Sequence, residues 1–213
     1  MTYNLIFILL LLILLISYKP NTKRDKLIKL LDGMDLNNKW LPGKNISCYS
    51  GETKPDKSTT VKSSHCSCFI AAVCKKMNIS MIGPPNYSQY HLADKQLKWL
   101  ETDNAFEEGW FEIDGSPKRK YIEAQKIANE GKLVIVGVKQ TKNTNGHIAI
   151  VRPCYKLQYF VINDGPQVIT SSHVNSYSIA MKDDFMLHKK EFKFLESEIQ
   201  FFYNNKNIDD IEL

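Results

Sequence analysis

The chain has 213 residues, of which 43% are hydrophobic and 24% charged, and this composition is typical of a globular protein and unlike a disordered one. Its net charge of +5 comes from scattered lysines and not from a basic stripe interleaved with aromatic residues, so the sequence argues against nucleic-acid binding. The part that follows the first twenty residues is long enough for one domain with a full core.

The first predicted element is an apolar segment over residues 3–18, unbroken from Leu5 to Ile16. A helix that spans a bilayer needs about 20 residues, with about 17 as the lower limit, so this segment is borderline between an anchor and the apolar part of a signal peptide. No basic residue precedes it and no Ala-x-Ala cleavage pattern follows it. These absences favour an uncleaved membrane anchor over residues 1–18.

The side of the membrane on which the body lies is left open by the sequence. Basic residues cluster directly after the apolar segment, at Lys19, Lys23, Arg24, Lys26 and Lys29. Such a cluster favours a cytoplasmic body. The hydrolase interpretation developed below favours a body outside the cytoplasm, and we expect that arrangement, with secretion or a cytoplasmic position as alternatives.

Helical patterns follow in the first half of the body. A linker helix is expected within residues 19–36, and a loop rich in turn residues covers 37–60. Further helices are predicted over Cys66–Lys76, 89–100 and 117–130. Ser63 or Ser64 is suited to cap the helix over Cys66–Lys76, and Gly131 is suited to end the helix over 117–130.

Strand patterns dominate the second half of the body. Short runs rich in Val and Ile, separated by turns, predict an antiparallel meander over residues 132–139, 147–152, 158–162 and 167–170. Residues 199–203 are suited to a further strand, and the polar tail over 204–213 is expected to fray. Helices followed by a meander predict an α+β domain over residues 37–203.

The candidate catalytic residues are a cysteine and a histidine at the start of two of these elements. Cys66 begins an apolar helix, where the helix dipole favours the thiolate and the free N–H groups of the first turn suit an oxyanion. His147 begins an apolar strand, from which its imidazole can take the thiol proton. Cys68 is a rival nucleophile, but it points about 200° away from Cys66 around the helix.

A third polar group should hold the imidazole in one tautomer. Asn163 is the first choice, because it closes the strand predicted after that of His147 and could lie beside it. Asp164, His173 and Asn175 remain open as alternatives.

The other cysteines point to packing and not to a cofactor. The chain has five cysteines, an odd number, so at least one thiol stays free or pairs with another molecule. The spacing of Cys66, Cys68 and Cys74 fits no common zinc site, and Cys68 and Cys74 are expected as buried packing residues. With no glycine-rich phosphate loop either, we predict neither a metal nor a nucleotide cofactor.

These residues resemble a known family. Cys66-Ser67-Cys68-Phe69-Ile70 resembles the Asp-Cys-Ser-Gly-Phe/Leu-Val motif of the NlpC-type papain-like cysteine peptidases. Residues 146–151, Gly-His-Ile-Ala-Ile-Val, resemble the histidine strand of that family and of the related CHAP amidases, and residues 49–51 resemble the start of its Tyr-x-x-Gly-Gly stretch. His65 and Cys68 depart from the Asp and Gly of the motif, and the family's third catalytic residue has no unique match.

The resemblance, which covers about residues 40–175, implies a papain-like fold and thiol-dependent hydrolysis of amide bonds, most often in cell-wall peptides. The expected partners are therefore a peptide substrate and, through the N-terminal segment, a membrane. Two other functions remain open. One is a catalytically inactive, membrane-anchored binding module of the same fold, and the other is a thiol deamidase or acyltransferase.

Overall fold

A computed structural model describes residues 22–55, 64–139, 146–188 and 198–210 of the chain. The predicted anchor over residues 1–18 lies outside these ranges. Within them, none of the helices combines the length and the apolar character that a bilayer crossing requires.

The described residues form an α+β domain, as the sequence predicts. The helices are α1 (Lys23–Asp32), α2 (Cys66–Lys76), α3 (Leu92–Leu100), α4 (Asp103–Glu107), α5 (Pro117–Asn129), α6 (Gln158–Asp164) and α7 (Met181–His188). The strands are β1 (Trp110–Glu112), β2 (Val134–Val138), β3 (His147–Val151), β4 (Gln167–Thr170), β5 (Ser176–Ala180) and β6 (Gln200–Asn204). A short 3₁₀ helix covers Ile208–Asp210.

The six strands form one sheet in the order β1-β6-β2-β3-β4-β5, and all neighbours pair antiparallel. Strands β2 to β5 are neighbours in chain order, so the predicted meander is confirmed for three of its four runs, 132–139, 147–152 and 167–170, and β5 continues it. Strand β6 pairs with the free edge of β2 and carries the short strand β1 on its other side. The register aligns Val138 of β2 with His147, so the histidine lies at the end of the β2–β3 ladder.

Both faces of the sheet are covered by helices. One core cluster packs α1, α2 and α3 against side chains such as Ile148 and Ile150. The other packs α5 and α7 against the intervening residues, such as Ala149 and Val151. Because successive strand residues point to opposite faces, every residue of β2 and β3 is buried. This double burial explains why these strands have continuous apolar sequences.

One predicted strand is wrong, because residues 158–162 belong to helix α6. Strand β3 pairs with β2 on one side and with β4 on the other. The segment that connects β3 to β4 in the sequence therefore cannot pair with β3. Within α6 only Val161 is buried. The side chains around it are solvated, as in a short surface helix.

The two ends of the described chain pack against the domain. Helix α1, expected from the sequence as a linker, places Leu27 and Leu31 in the first core cluster, where both are fully buried. Ile208, in the tail that was expected to fray, is also fully buried. The Lys26 Nζ lies 2.6 Å from an Asp209 carboxylate oxygen and joins the two segments. The domain therefore includes both segments.

Candidate active site

The N-terminus of α2 is held from both sides by backbone carbonyls. His65 is the N-cap residue in place of Ser64, its side chain forms no capping hydrogen bond, and the other predicted cap, Ser63, lies outside the described residues. The His65 backbone N–H donates to the Ser171 carbonyl at 3.1 Å, and its ring Nε2 donates to the Leu41 carbonyl at 3.2 Å. Burial lowers the pKa of His65 against the opposing effect of the Leu41 and Lys44 backbone. The N-cap side chain therefore leaves the first-turn N–H groups of α2 uncapped.

Helix α2 packs on β3, and this contact brings Cys66 to His147. The two side chains are hydrogen-bonded, and the backbone N–H of Ile148 also donates to the thiol sulfur. Ser64 Oγ lies 3.7 Å from the Cys66 Sγ. The thiol is 5% exposed and the imidazole 1% exposed. The pairing predicted from the sequence is therefore present in the structure as a buried contact.

The imidazole lowers the pKa of the thiol. Burial by itself raises the pKa of Cys66, but the hydrogen bond and the positive charge of His147 outweigh it, so the pKa is lowered. The other two free cysteines behave in the opposite way, because burial raises the pKa of both Cys74 and Cys154. Of the five cysteines, all of which the structure describes, Cys66 alone combines a free thiol with a lowered pKa.

A buried carboxylate completes a chain of three side chains. The His147 Nε2 lies 2.8 Å from an oxygen of Asp184, which is part of α7. Burial by itself lowers the pKa of His147. The charge and the hydrogen bond of Asp184 outweigh burial, and the pKa is raised to about 9. Phe185 packs edge-on against the imidazole, with ring centroids 4.8 Å apart. Because Nε2 is engaged with Asp184, Nδ1 is the ring nitrogen that remains for Cys66.

The prediction that Asn163 lies beside His147 is wrong. Asn163 is exposed on α6, and its Nδ2 donates to the carbonyl of Tyr159 one helical turn earlier, at 2.9 Å. The strand that was to carry it there is a helix on the surface. Asp184 is the residue that the sequence analysis missed. The only sequence signal for it is the acidic pair Asp183-Asp184 before Phe185. The pair does not show that Asp184 is buried and Asp183 exposed.

The three alternatives to Asn163 are also engaged or placed elsewhere. Asp164 forms an ion pair with Lys156 at 3.8 Å. Asn175 donates from Nδ2 to two carbonyls of the 36–40 loop, each at 2.8 Å. His173 is exposed.

Cys68 is excluded as the nucleophile because it forms a disulfide with Cys48, with Cα atoms 4.7 Å apart. Cys68 is buried in the first core cluster, as expected of a packing residue, but its sulfur is bonded to Cys48. The disulfide joins the 45–54 loop to the first turn of α2, the turn that begins at Cys66.

A cleft of about 450 Å³ lies beside the disulfide, between the 45–54 loop and the 84–89 segment. Its lining residues are Asn45, Ile46, Ser47, Cys48, Tyr49, Lys54, Pro84, Pro85, Tyr87, Ser88 and Gln89. The Tyr49 hydroxyl donates to the Pro84 carbonyl at 2.5 Å and ties the two walls together. Through the bond between Cys48 and Cys68 the cleft is connected to the first turn of α2, but neither Cys66 nor His147 is among its lining residues.

A thiol, an imidazole and a carboxylate in series, beside uncapped helix N–H groups, can carry out acyl transfer through a thioester. Among the described residues, no three His, Cys, Asp or Glu side chains are grouped as ligands of a metal ion.

No known family profile matches the chain, and no curated protein is significantly similar to it.

Proposed function

We propose that this protein is a thiol hydrolase of papain-like type that cleaves amide bonds, with Cys66 as nucleophile and His147 as the general acid and base. The observation that carries the proposal is the buried series Cys66–His147–Asp184, in which a lowered thiol pKa and a raised imidazole pKa occur together. Perturbed pairs of this kind are common at catalytic sites.

In the first half of the reaction the Cys66 thiolate attacks the carbonyl carbon of the substrate. The carbonyl oxygen becomes negative, and the N–H groups at the start of α2 are suited to stabilise it because the side chain of the N-cap residue, His65, does not bond them. The protonated His147 then gives its Nδ1 proton to the leaving nitrogen. The C–N bond breaks, the amine departs, and the acyl group remains on sulfur as a thioester.

In the second half, water replaces the amine. The neutral imidazole of His147 takes a proton from water at Nδ1, and the resulting hydroxide attacks the thioester carbon. The C–S bond breaks, the carboxylic acid leaves, and the thiolate and imidazolium are restored. Asp184 accepts the hydrogen bond from Nε2 throughout, which holds the ring in the orientation and tautomer that present Nδ1 to the sulfur.

The resemblance of residues 66–70 and 146–151 to the NlpC and CHAP families favours peptides of the cell wall as substrates. The cleft beside the disulfide supports a peptide-sized ligand, because its 450 Å³ exceed the lower limit of typical small-molecule sites, about 300 Å³. Lys54, its one lysine or arginine, suits a substrate that carries a free carboxylate. Disulfides persist in oxidising compartments, so the bond between Cys48 and Cys68 favours display of this domain outside the cytoplasm, whereas the basic cluster after the predicted anchor favours the opposite side.

The reactivity of the cysteines tests the nucleophile. Iodoacetamide is applied to the full chain between pH 4 and pH 9, and mass spectrometry maps the modified residues. We expect Cys66 to react faster than Cys154 near pH 6, although Cys154 is the more exposed, because only the Cys66 thiol has a lowered pKa. His147→Ala should move the Cys66 profile to higher pH and leave the Cys154 profile unchanged. The ion pair would be refuted if Cys154 were labelled faster than Cys66 and the pH profile of Cys66 labelling did not change in His147→Ala.

The hydrolytic step is tested on a digest of cell-wall peptides, with products identified by mass spectrometry. We expect amide cleavage by the wild type, loss of cleavage in Cys66→Ala, and full cleavage in the matched variant Cys154→Ala. A low-pKa Cys66 without any cleavage would favour deamidation or acyl transfer. Cleavage that survives Cys66→Ala would refute Cys66 as the nucleophile. Biological activity that survives Cys66→Ala, with no cleavage by either protein, would favour the binding module.

A further inference from the structure

Four large apolar side chains are exposed within six residues on the surface that leads into α6. Tyr155, Leu157, Tyr159 and Phe160, here called the apolar patch, are 89%, 71%, 70% and 46% exposed. Isolated apolar residues are ordinary on a protein surface, but a contiguous group of this kind marks an interaction site. The core of the domain does not need these side chains, since Val161 alone anchors α6 in the second core cluster.

The backbone beneath the apolar patch is held in place. The Lys156 Nζ donates to the Gly165 carbonyl at 3.2 Å and so links the two ends of the segment. Asn163 bonds the Tyr159 carbonyl within α6, and Tyr159 and Phe160 pack edge to face with centroids 5.4 Å apart. The apolar side chains are therefore presented outward on a fixed support.

The apolar patch lies close to the start of the described chain. The Arg24 guanidinium stacks on the Tyr155 ring, 3.3 Å above its centroid, and Arg24 is the second residue of α1. The apolar segment predicted as a membrane anchor ends at Tyr18, only six residues before Arg24. Six residues span about 20 Å even when fully extended. A bilayer entered by residues 3–18 would thus lie within reach of the patch.

The chemistry of the patch suits the boundary between lipid tails and headgroups. Tyrosine is enriched there because its ring is apolar and its hydroxyl is polar, and leucine and phenylalanine enter the adjoining acyl region. Arg24, stacked on Tyr155, supplies positive charge at the patch, which suits anionic headgroups.

We propose that the apolar patch is a lipid-contacting surface, by which the folded domain rests on a bilayer that contains anionic lipids. The patch belongs to the face of the sheet covered by α5 and α7, whereas α2, α3 and the cleft belong to the opposite face. Contact through the patch therefore leaves the cleft facing away from the lipid. The inference does not depend on the proposed hydrolase activity.

The test places one tryptophan reporter in the patch. The full chain carrying Leu157→Trp is reconstituted into vesicles of zwitterionic and anionic lipids, with and without bromine on the acyl chains, which quenches nearby tryptophan. The matched control is Tyr90→Trp, because Tyr90 is 73% exposed but precedes α3 on the opposite face of the sheet. The chain has three native tryptophans: Trp40 and Trp110 are 0% and 1% exposed, and Trp99 is partly buried on α3, on the face of the sheet opposite the patch. All three are present in both reporter chains, so their emission is subtracted as a common background.

We expect brominated lipid to remove about half of the added emission of Leu157→Trp, and almost none of that of Tyr90→Trp, because interfacial side chains enter the acyl boundary. Replacing the other three patch residues by serine in the Leu157→Trp chain should reduce the quenching. Equal quenching of the two reporters, or a chain that does not float with the vesicles, would overturn the proposal. A concentration-dependent dimer that the serine substitutions abolish, with no quenching, would assign the patch to a second copy of the chain.

Discussion

Replacing Asp184 by asparagine tests the electrostatic core of the site. The substitution keeps the size of the side chain and an oxygen that can accept from His147 Nε2, but it removes a buried negative charge 2.8 Å from that nitrogen. The charge of Asp184 is the leading influence that raises the pKa of His147 against burial. Without it the imidazolium is destabilised, and the Cys66 thiolate loses the positive charge that stabilises it.

The size of the effect follows from the distance. The two charges are spread over their groups, so their centres are about 4 Å apart, and at an effective dielectric constant of about 20 they attract by about 4 kcal/mol. This is an upper bound of about three pKa units for His147. Because the asparagine keeps a hydrogen bond, we expect a fall of about one to three units. Part of that fall appears as a rise in the pKa of Cys66.

The assay is the rate of Cys66 alkylation at pH 6. Each unit by which the thiol pKa rises removes about nine tenths of the thiolate, but a more basic thiolate is also more nucleophilic, with a Brønsted slope of about 0.5. If the pKa of Cys66 rose by as many units as the pKa of His147 fell, the alkylation rate would therefore fall by about 3-fold to 30-fold. The matched control is Asp183→Asn, which neutralises the exposed carboxylate next in sequence and should change little.

The reasoning would be refuted if the alkylation profile of Asp184→Asn coincided with that of the wild type while both proteins remained folded by circular dichroism. An equal effect of Asp183→Asn would also contradict it, because a long-range charge effect and not the buried contact would then be responsible.

Two further predictions concern stability. A folded-state pKa of about 9 for His147 stabilises the protein at low pH, and this contribution is lost as pH rises from about 6.5 to 9, whereas the lowered pKa of Cys66 gives the opposite slope and offsets it. Urea unfolding of Cys66→Ser should therefore show stability that falls more steeply with pH than that of the wild type, by at most about 1.4 kcal/mol per pH unit, and parallel curves would contradict the ion pair. The double variant Cys48→Ser, Cys68→Ser should lose roughly 3 kcal/mol, since the disulfide closes a loop with a sequence separation of 20, and an unchanged urea midpoint would show that the bond does not constrain the unfolded chain.

Local sequence determined most of the elements that carry the site. The apolar run behind Cys66 predicts α2 with the bounds that the structure has, and the Val and Ile runs predict β2, β3 and β4 to within about two residues. These signals are readable because each element buries a regular face, and the period of the apolar residues depends only on the backbone geometry. The relation between Cys66 and His147 was also predictable, since each begins an element whose burial fixes its position.

Tertiary structure alone decided the partners of these residues. Nothing near Asp184 in the sequence shows that α7 folds back beneath β3, or that Asp184 and not Asp183 faces the imidazole. The pairing of Cys48 with Cys68 likewise depends on where the 45–54 loop meets α2. Periodicity shows which face of an element is buried but not which element covers it. A buried ion pair or a disulfide is specified by that covering, because its energy comes from groups far apart in the chain that only the complete fold brings together.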